Sequence, residues 1–256
     1  MLPISYSFTV IPKFKIIKKI FKNILLEKPK ICDLCCGSGY VTEFLKINNI
    51  TYKSYVGIDI DKNSIKYAKK KFKSKKKIKF YKKDISKNPP KSLSNKFDLV
   101  FFLDGIEHIK KDKNAINFAN KILKKGGLLI LSTPNLDGLF TKNISTYMHD
   151  TGSMANQRAG YYENRLIKLI GSKFNENKVF HCNYIISELL VFITKIGYRT
   201  FKKKYNSQAD LESVSKSYIF QAYKFFIRYL KNIIYLIDQI TGFMFSSHCI
   251  VVLSKK

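Results

Sequence analysis

Three carboxylates, each at or near the end of an apolar run, are the groups best placed to do chemistry: Asp33, Asp59 and Asp84. Asp33 lies in Lys30-Ile31-Cys32-Asp33-Leu34-Cys35-Cys36-Gly37-Ser38-Gly39, which reads as a buried strand breaking into a glycine-containing turn. Gly37 and Gly39 carry no Cβ, so backbone N–H groups there can approach a ligand closely. Asp59 closes the run Tyr55 to Asp59, twenty residues beyond Gly39. A carboxylate at that point is placed to accept hydrogen bonds from the two hydroxyls of a ribose. The spacing therefore implies a site for a nucleoside-bearing ligand.

The elements that must position these groups alternate between strand and helix. An amphipathic helix over 13–27 carries Phe14, Ile16, Ile17, Ile20, Phe21, Ile24 and Leu25 at three- and four-residue spacing. Strands follow at 30–34, 55–59, 78–82, 97–103 and 128–132. Helices are expected over about 40–48, from Asp61, and over about 112–124, the last stopped by Gly126-Gly127. This alternation predicts an α/β fold with right-handed crossovers and a parallel sheet. Residues 136–178 read as an insertion covering the site, followed by a helix at 187–195, a strand at 198–202, a long apolar helix at 215–241 and a β-rich tail at 248–253.

Bulk composition narrows the function. The formal charge is +29, but the 47 basic residues include only four arginines, Arg158, Arg165, Arg199 and Arg228. Arginine is the preferred partner of phosphate and guanine edges, so its scarcity argues against nucleic acid and for a solvated, lysine-coated surface. Five cysteines, three of them at Cys32, Cys35 and Cys36, suggest buried thiols in a reducing cytosol rather than a disulfide framework. No second C-x-x-C pair completes a metal site, and no metal is expected. No apolar run reaches membrane-spanning length. A surplus of apolar residues on 215–241 (Phe225, Tyr229, Leu236) with its lysines could rest on a membrane surface.

The ordered set of segments resembles the class I S-adenosylmethionine-dependent methyltransferases, specifically the small-molecule group with Glu-His after strand four. Asp33-Leu34-Cys35-Cys36-Gly37-Ser38-Gly39 is similar to the family's first motif, with Cys35 where a first glycine is usual. That position is read as needing a small residue, not a positive φ. Gly57-Ile58-Asp59, Lys83-Asp84-Ile85, Phe97 to Ile109 and Leu123 to Asn135 match in order, covering about 29–135. A weaker echo runs from His181 to Tyr198. The third glycine of a nicotinamide dinucleotide fingerprint is absent, Thr42 standing there.

The resemblance implies a doubly wound, mostly parallel seven-stranded sheet with an antiparallel last strand and a helical covering insertion. Residues 1–28 would form a helix packed on the core, 29–135 the donor-binding core, and 136–256 the acceptor-side insertion and completing strands. S-adenosyl-L-methionine would be held by Asp33, Cys35, Cys36, Gly37, Ser38, Gly39, Asp59, Ile60, Asp84, Ile85 and Leu103. His108 is the first candidate base, with His149 and His181 as alternatives in the covering half. His149, Arg158, Tyr161 and His181 would face the acceptor, a small molecule or a lipid- or glycan-linked group methylated at oxygen. Asp104, Glu107 and His108 form a D-x-x-E-H cluster, where some quinone-biosynthesis relatives place a divalent metal. An RNA methyltransferase and a non-catalytic donor-binding protein are the alternative functions.

Overall fold

The computed structural model describes residues 10–23, 27–138, 158–182, 225, 233, 236, 237, 246 and 248–256. The expected helix 187–195, strand 198–202 and residue His149 lie outside them, as does nearly all of 215–241. Seven strands form one sheet in the order β3-β2-β1-β4-β5-β7-β6. They are β1 (Lys30–Leu34), β2 (Ser54–Asp59), β3 (Ile78–Lys82), β4 (Phe97–Leu103), β5 (Leu123–Pro134), β6 (Phe174–Cys182) and β7 (His248–Lys255). β1 to β5 pair in parallel, while β7 runs antiparallel between β5 and β6. The order reverses beside β1, between β1 and β4, and a doubly wound sheet opens its ligand crevice at such a point.

Five α-helices are described: α1 (Val10–Asn23), α2 (Tyr40–Ile47), α3 (Lys62–Lys71), α4 (Asp112–Ile122) and α5 (Glu163–Ile170). Phe14, Ile17 and Ile20 of α1 pack with Val41, Phe44 and Leu45 of α2 and Ile65 and Ala68 of α3 on one face of the sheet. Ala115, Ile116, Phe118 and Ala119 of α4 and Leu166 and Ile170 of α5 cover the other face. The central strands are apolar on both sides because both faces are covered. Leu99, Val100, Phe101 and Phe102 are wholly buried.

Three expectations are corrected. α4 ends at Ile122, and the chain is already extended at Leu123, which pairs with Phe97 before the register shifts at Leu99 and Leu128. Gly126, at φ 71°, serves that irregular strand start rather than capping a helix. The described span of the N-terminal helix runs from Val10 to Asn23, so it is already helical three residues before its apolar spacing indicates. A strand also occupies 174–182, inside and just past the supposed insertion. It is an edge strand with a register shift between Glu176 and Lys178, so it lacks the clean alternation that betrays a half-buried strand. Among the described residues, no helix is long and apolar enough to cross a membrane.

Candidate active site

The carboxyl ends of β1, β2, β3 and β4 surround a cavity of about 920 Å³. Asp33 is the penultimate residue of β1, nearly fully buried, and accepts a hydrogen bond from the Tyr55 hydroxyl at 2.5 Å. Burial pushes its carboxyl up to about 7, opposed by the Tyr55 bond and assisted by the Asp59 charge. Asp59, the last residue of β2, accepts from the backbone N–H of Gly37 and of Asp61, each at 2.8 Å. It thus ties the glycine turn to the tip of β2. Asp84, in the loop after β3, accepts from the Ser86 amide at 2.8 Å. The Ser86 hydroxyl and amide hold the Asp84 carboxyl below its ordinary value.

Of the eleven residues assigned to the donor, nine line the cavity: Asp33, Cys35, Cys36, Gly37, Asp59, Ile60, Asp84, Ile85 and Leu103. Ser38 and Gly39 do not. A Cβ on Gly39 would strike Phe72 at 2.7 Å, so this glycine serves the packing of α2 on α3. Gly37, at φ 51°, lines the cavity and has open space within 4 Å of where a Cβ would stand, so its demand for glycine is conformational. Cys35 adopts φ 56°, which corrects the expectation that its position tolerates an ordinary backbone. The usual glycine is there for conformation, and this chain accepts the left-handed cost of about 1–2 kcal/mol. Its thiol packs on Gly105, where a Cβ would meet Cys35 Sγ at 2.9 Å. Burial raises the thiols of Cys32, Cys35 and Cys36, so they stand as neutral packing groups.

His108 closes the short 3₁₀ turn after β4, is exposed, and lines the cavity. The other acceptor-side assignments fare differently. Arg158 braces this turn, its guanidinium donating to the carbonyls of Ile106, Ile109 and Lys110 at 2.9–3.3 Å. It also donates to the Tyr161 hydroxyl and pairs with Asp112. Tyr161 is buried in the core. His181 lies on β6 with Nε2 at 2.6 Å from Glu163 Oε2. None of these three lines the cavity. Among the described residues, the side-chain atoms of Asp104, Glu107 and His108 do not gather into a metal-ligating group. Glu107 is buried, bonded to Thr133 at 3.3 Å, with its carboxyl pushed up to about 7 by burial.

Lys13 and Phe14 of α1 line the cavity as well, as do Tyr40, Ser64 and Lys110. The Lys13 ammonium is buried against the Asp104 carboxylate, and burial lowers it to about 8. Asp104 also accepts from Ser132 at 2.8 Å. The only trace of Lys13 in the sequence is its place beside Phe14 on an amphipathic helix. Nothing there says that α1 reaches β4.

This strand order, with a glycine turn and acids at three adjacent strand tips, defines a class I methyltransferase architecture. The chain belongs to the methyltransferase-domain family, which it matches over residues 26–204. S-adenosylmethionine is the donor that goes with this class. Over 172 residues the chain is 31% identical to malonyl-[acyl-carrier protein] O-methyltransferase 2 of Ilyobacter polytropus, covering 65% of this chain and 64% of that protein. Over 125 residues it is 33% identical to the ubiquinone biosynthesis O-methyltransferase of Pelagibacter ubique, covering 46% and 48%. The chain thus spans under two thirds of the first and about half of the second. The N-methyltransferase NodS of Bradyrhizobium japonicum, solved with S-adenosyl-L-homocysteine, shares the fold. Its TM-score is 0.52 at 16% identity, over 69% of this chain and 80% of that one.

Proposed function

We propose that the protein transfers a methyl group from S-adenosylmethionine to an oxygen of a small-molecule or lipid- or glycan-linked acceptor. The observation that carries this reading is a single cavity presenting Asp33, Asp59, Asp84 and His108 together. When bound, the donor supplies an electrophilic methyl group on a sulfonium. Asp33 would balance the positive charge of its amino-acid part, and Asp59 would accept from the ribose hydroxyls. Asp84 would accept from the adenine amino group, with the side chains of Ile60 and Ile85 against the ring. Gly37, lining the cavity without a side chain, would let the turn's backbone approach the ligand. Most of the rate gain in such an in-line displacement comes from holding the acceptor in position. His108, at the close of the 3₁₀ turn that follows β4, would take the proton from the acceptor oxygen.

Oxygen as the acceptor atom is supported by two of the relatives that the chain matches. One acts on malonyl-[acyl-carrier protein] and the other in ubiquinone biosynthesis, both as O-methyltransferases by name. Contact with a lipid surface is supported by Phe225, Ile233, Leu236 and Ile237, four exposed apolar residues of the 215–241 segment.

The test is mass spectrometry of cell extract incubated with the protein and isotopically labelled donor, which reports turnover and the acceptor's mass together. Asp59→Ala should weaken donor binding at least about 100-fold, losing the ribose contact and freeing the glycine turn. His108→Ala should keep donor affinity and lose about 100-fold in turnover. Unchanged calorimetric affinity in Asp59→Ala would overturn the donor assignment, and full turnover in His108→Ala would remove that histidine as the base.

A further inference from the structure

A second group of chemically versatile side chains lies away from the cavity. His181 of β6 and Cys249 of β7 are directly opposed in the antiparallel ladder. Opposed side chains in such a pair stand on the same face with Cβ atoms about 5 Å apart. Glu163 opens α5, which packs on that face through Leu166 and Ile170. The carboxylate oxygen, imidazole nitrogen and thiol sulfur all lie within 4.8 Å of one another, and none of the three residues lines the donor cavity.

We propose that Glu163, His181 and Cys249 form a zinc site, with water as the fourth ligand. The donor set supports this choice of metal. A thiolate selects against magnesium and calcium, and one sulfur, one nitrogen and one oxygen form a zinc-type tetrahedral set. Zinc bonds of roughly 2.0–2.3 Å put neighbouring donor atoms roughly 3.5 Å apart, a spacing these side chains reach by small rotations. The access is graded to suit. Cys249 is 1% exposed, so its sulfur is shielded, while His181 and Glu163 keep side-chain exposures of 37% and 31% through which an ion and a water can enter. On binding, the Cys249 S–H bond breaks, its proton goes to solvent, and the sulfur electron pair forms the bond to zinc.

The site's place in the fold indicates what it does. β6 ends at Cys182 and β7 begins at His248, so an ion there fastens the two ends of the intervening segment to each other and to α5. An ion held by the folded chain alone adds its binding free energy to the stability of this end of the sheet.

The test strips the full-length protein with chelator and returns zinc or cobalt(II). We expect one equivalent of zinc by elemental analysis, a melting temperature that rises with zinc, and a near-ultraviolet sulfur-to-cobalt charge-transfer band. Cys249→Ser should lose that band. His181→Ala and Glu163→Gln, at half-exposed positions, should each weaken zinc binding at least about tenfold, and they carry the test if Cys249→Ser fails to fold. Wild-type protein that holds no zinc at tens of micromolar would overturn the proposal. So would a cobalt band that persists in Cys249→Ser, since another thiol would then be the ligand, or zinc affinity unchanged in both His181→Ala and Glu163→Gln.

Discussion

The Asp33 carboxyl is pushed up to about 7 by burial, so under the proposed assignment donor binding becomes a proton-linked event. Its ordinary value is 3.8, so between those limits the folded chain holds a proton that the unfolded chain has released. The sign follows directly. The stabilising contribution is fully present below pH 3.8 and is lost as pH rises through about 7, a swing of order 4 kcal/mol. A ligand cation recruits the ionised form, so binding below pH 7 must expel the proton. Donor affinity should therefore rise up to about tenfold per pH unit from pH 5 and level off near 7. Calorimetry in buffers of different ionisation enthalpy should count about one proton released at pH 5.5 and about half at pH 7.

The Tyr55 hydroxyl provides the discriminating variant. Its 2.5 Å bond to Asp33 favours the ionised carboxylate. A hydrogen bond to a charged group is worth about 1.5–3 kcal/mol, or about one to two pH units. Tyr55→Phe should move the break in the affinity profile upward by that amount, bringing the proton count at pH 7 close to one. Asp33→Asn should flatten the profile. Glu107 also titrates near 7 but does not line the cavity, so Glu107→Gln should leave the count intact. A count at pH 7 that Tyr55→Phe does not move, or that Glu107→Gln abolishes, would refute the argument.

Two further outcomes are expected. Gly37→Ala should cost about 1–2 kcal/mol, the price of a left-handed backbone alone, whereas Gly39→Ala should cost about 2–5 kcal/mol because the new Cβ also strikes Phe72; urea unfolding separates them, and equal costs would contradict the packing. Arg158→Lys cannot serve the carbonyls of Ile106, Ile109 and Lys110 at once. Hydrogen exchange should then speed up about tenfold or more across 106–111 while β1 is unaffected, and protection unchanged in that turn would remove Arg158 as its brace.

The sheet core was legible in the sequence because its strands are short, apolar and bounded by turn residues. Phe97 to Leu103 could be read within a residue because burial on both faces demands an unbroken apolar run. The acids at the strand tips were legible for a related reason. A carboxylate at or just past the end of such a run lies where a doubly wound sheet opens its ligand crevice. β6 was missed because an edge strand answers to solvent on one side and need not advertise itself.

Arg158, Tyr161 and His181, expected to face the acceptor, lie outside the lining of the cavity for one shared physical reason. Residue type and rough position identify a group able to contact an acceptor, but the same hydrogen-bonding capacity serves equally well to brace a turn. Arg158 donates to three carbonyls of the loop that carries His108, so its contribution to the site passes through geometry rather than contact. Lys13 is the converse. Its charge looked like one more of 43 surface lysines, yet the contact of α1 with the end of β4 buries it beside Asp104 at the cavity wall. The trio Glu163, His181 and Cys249 was out of reach for the same reason, since only the pairing of β6 with β7 and the packing of α5 bring them together. Local pattern specifies which elements form. The chemistry of a site built across elements becomes visible only when register and packing are known.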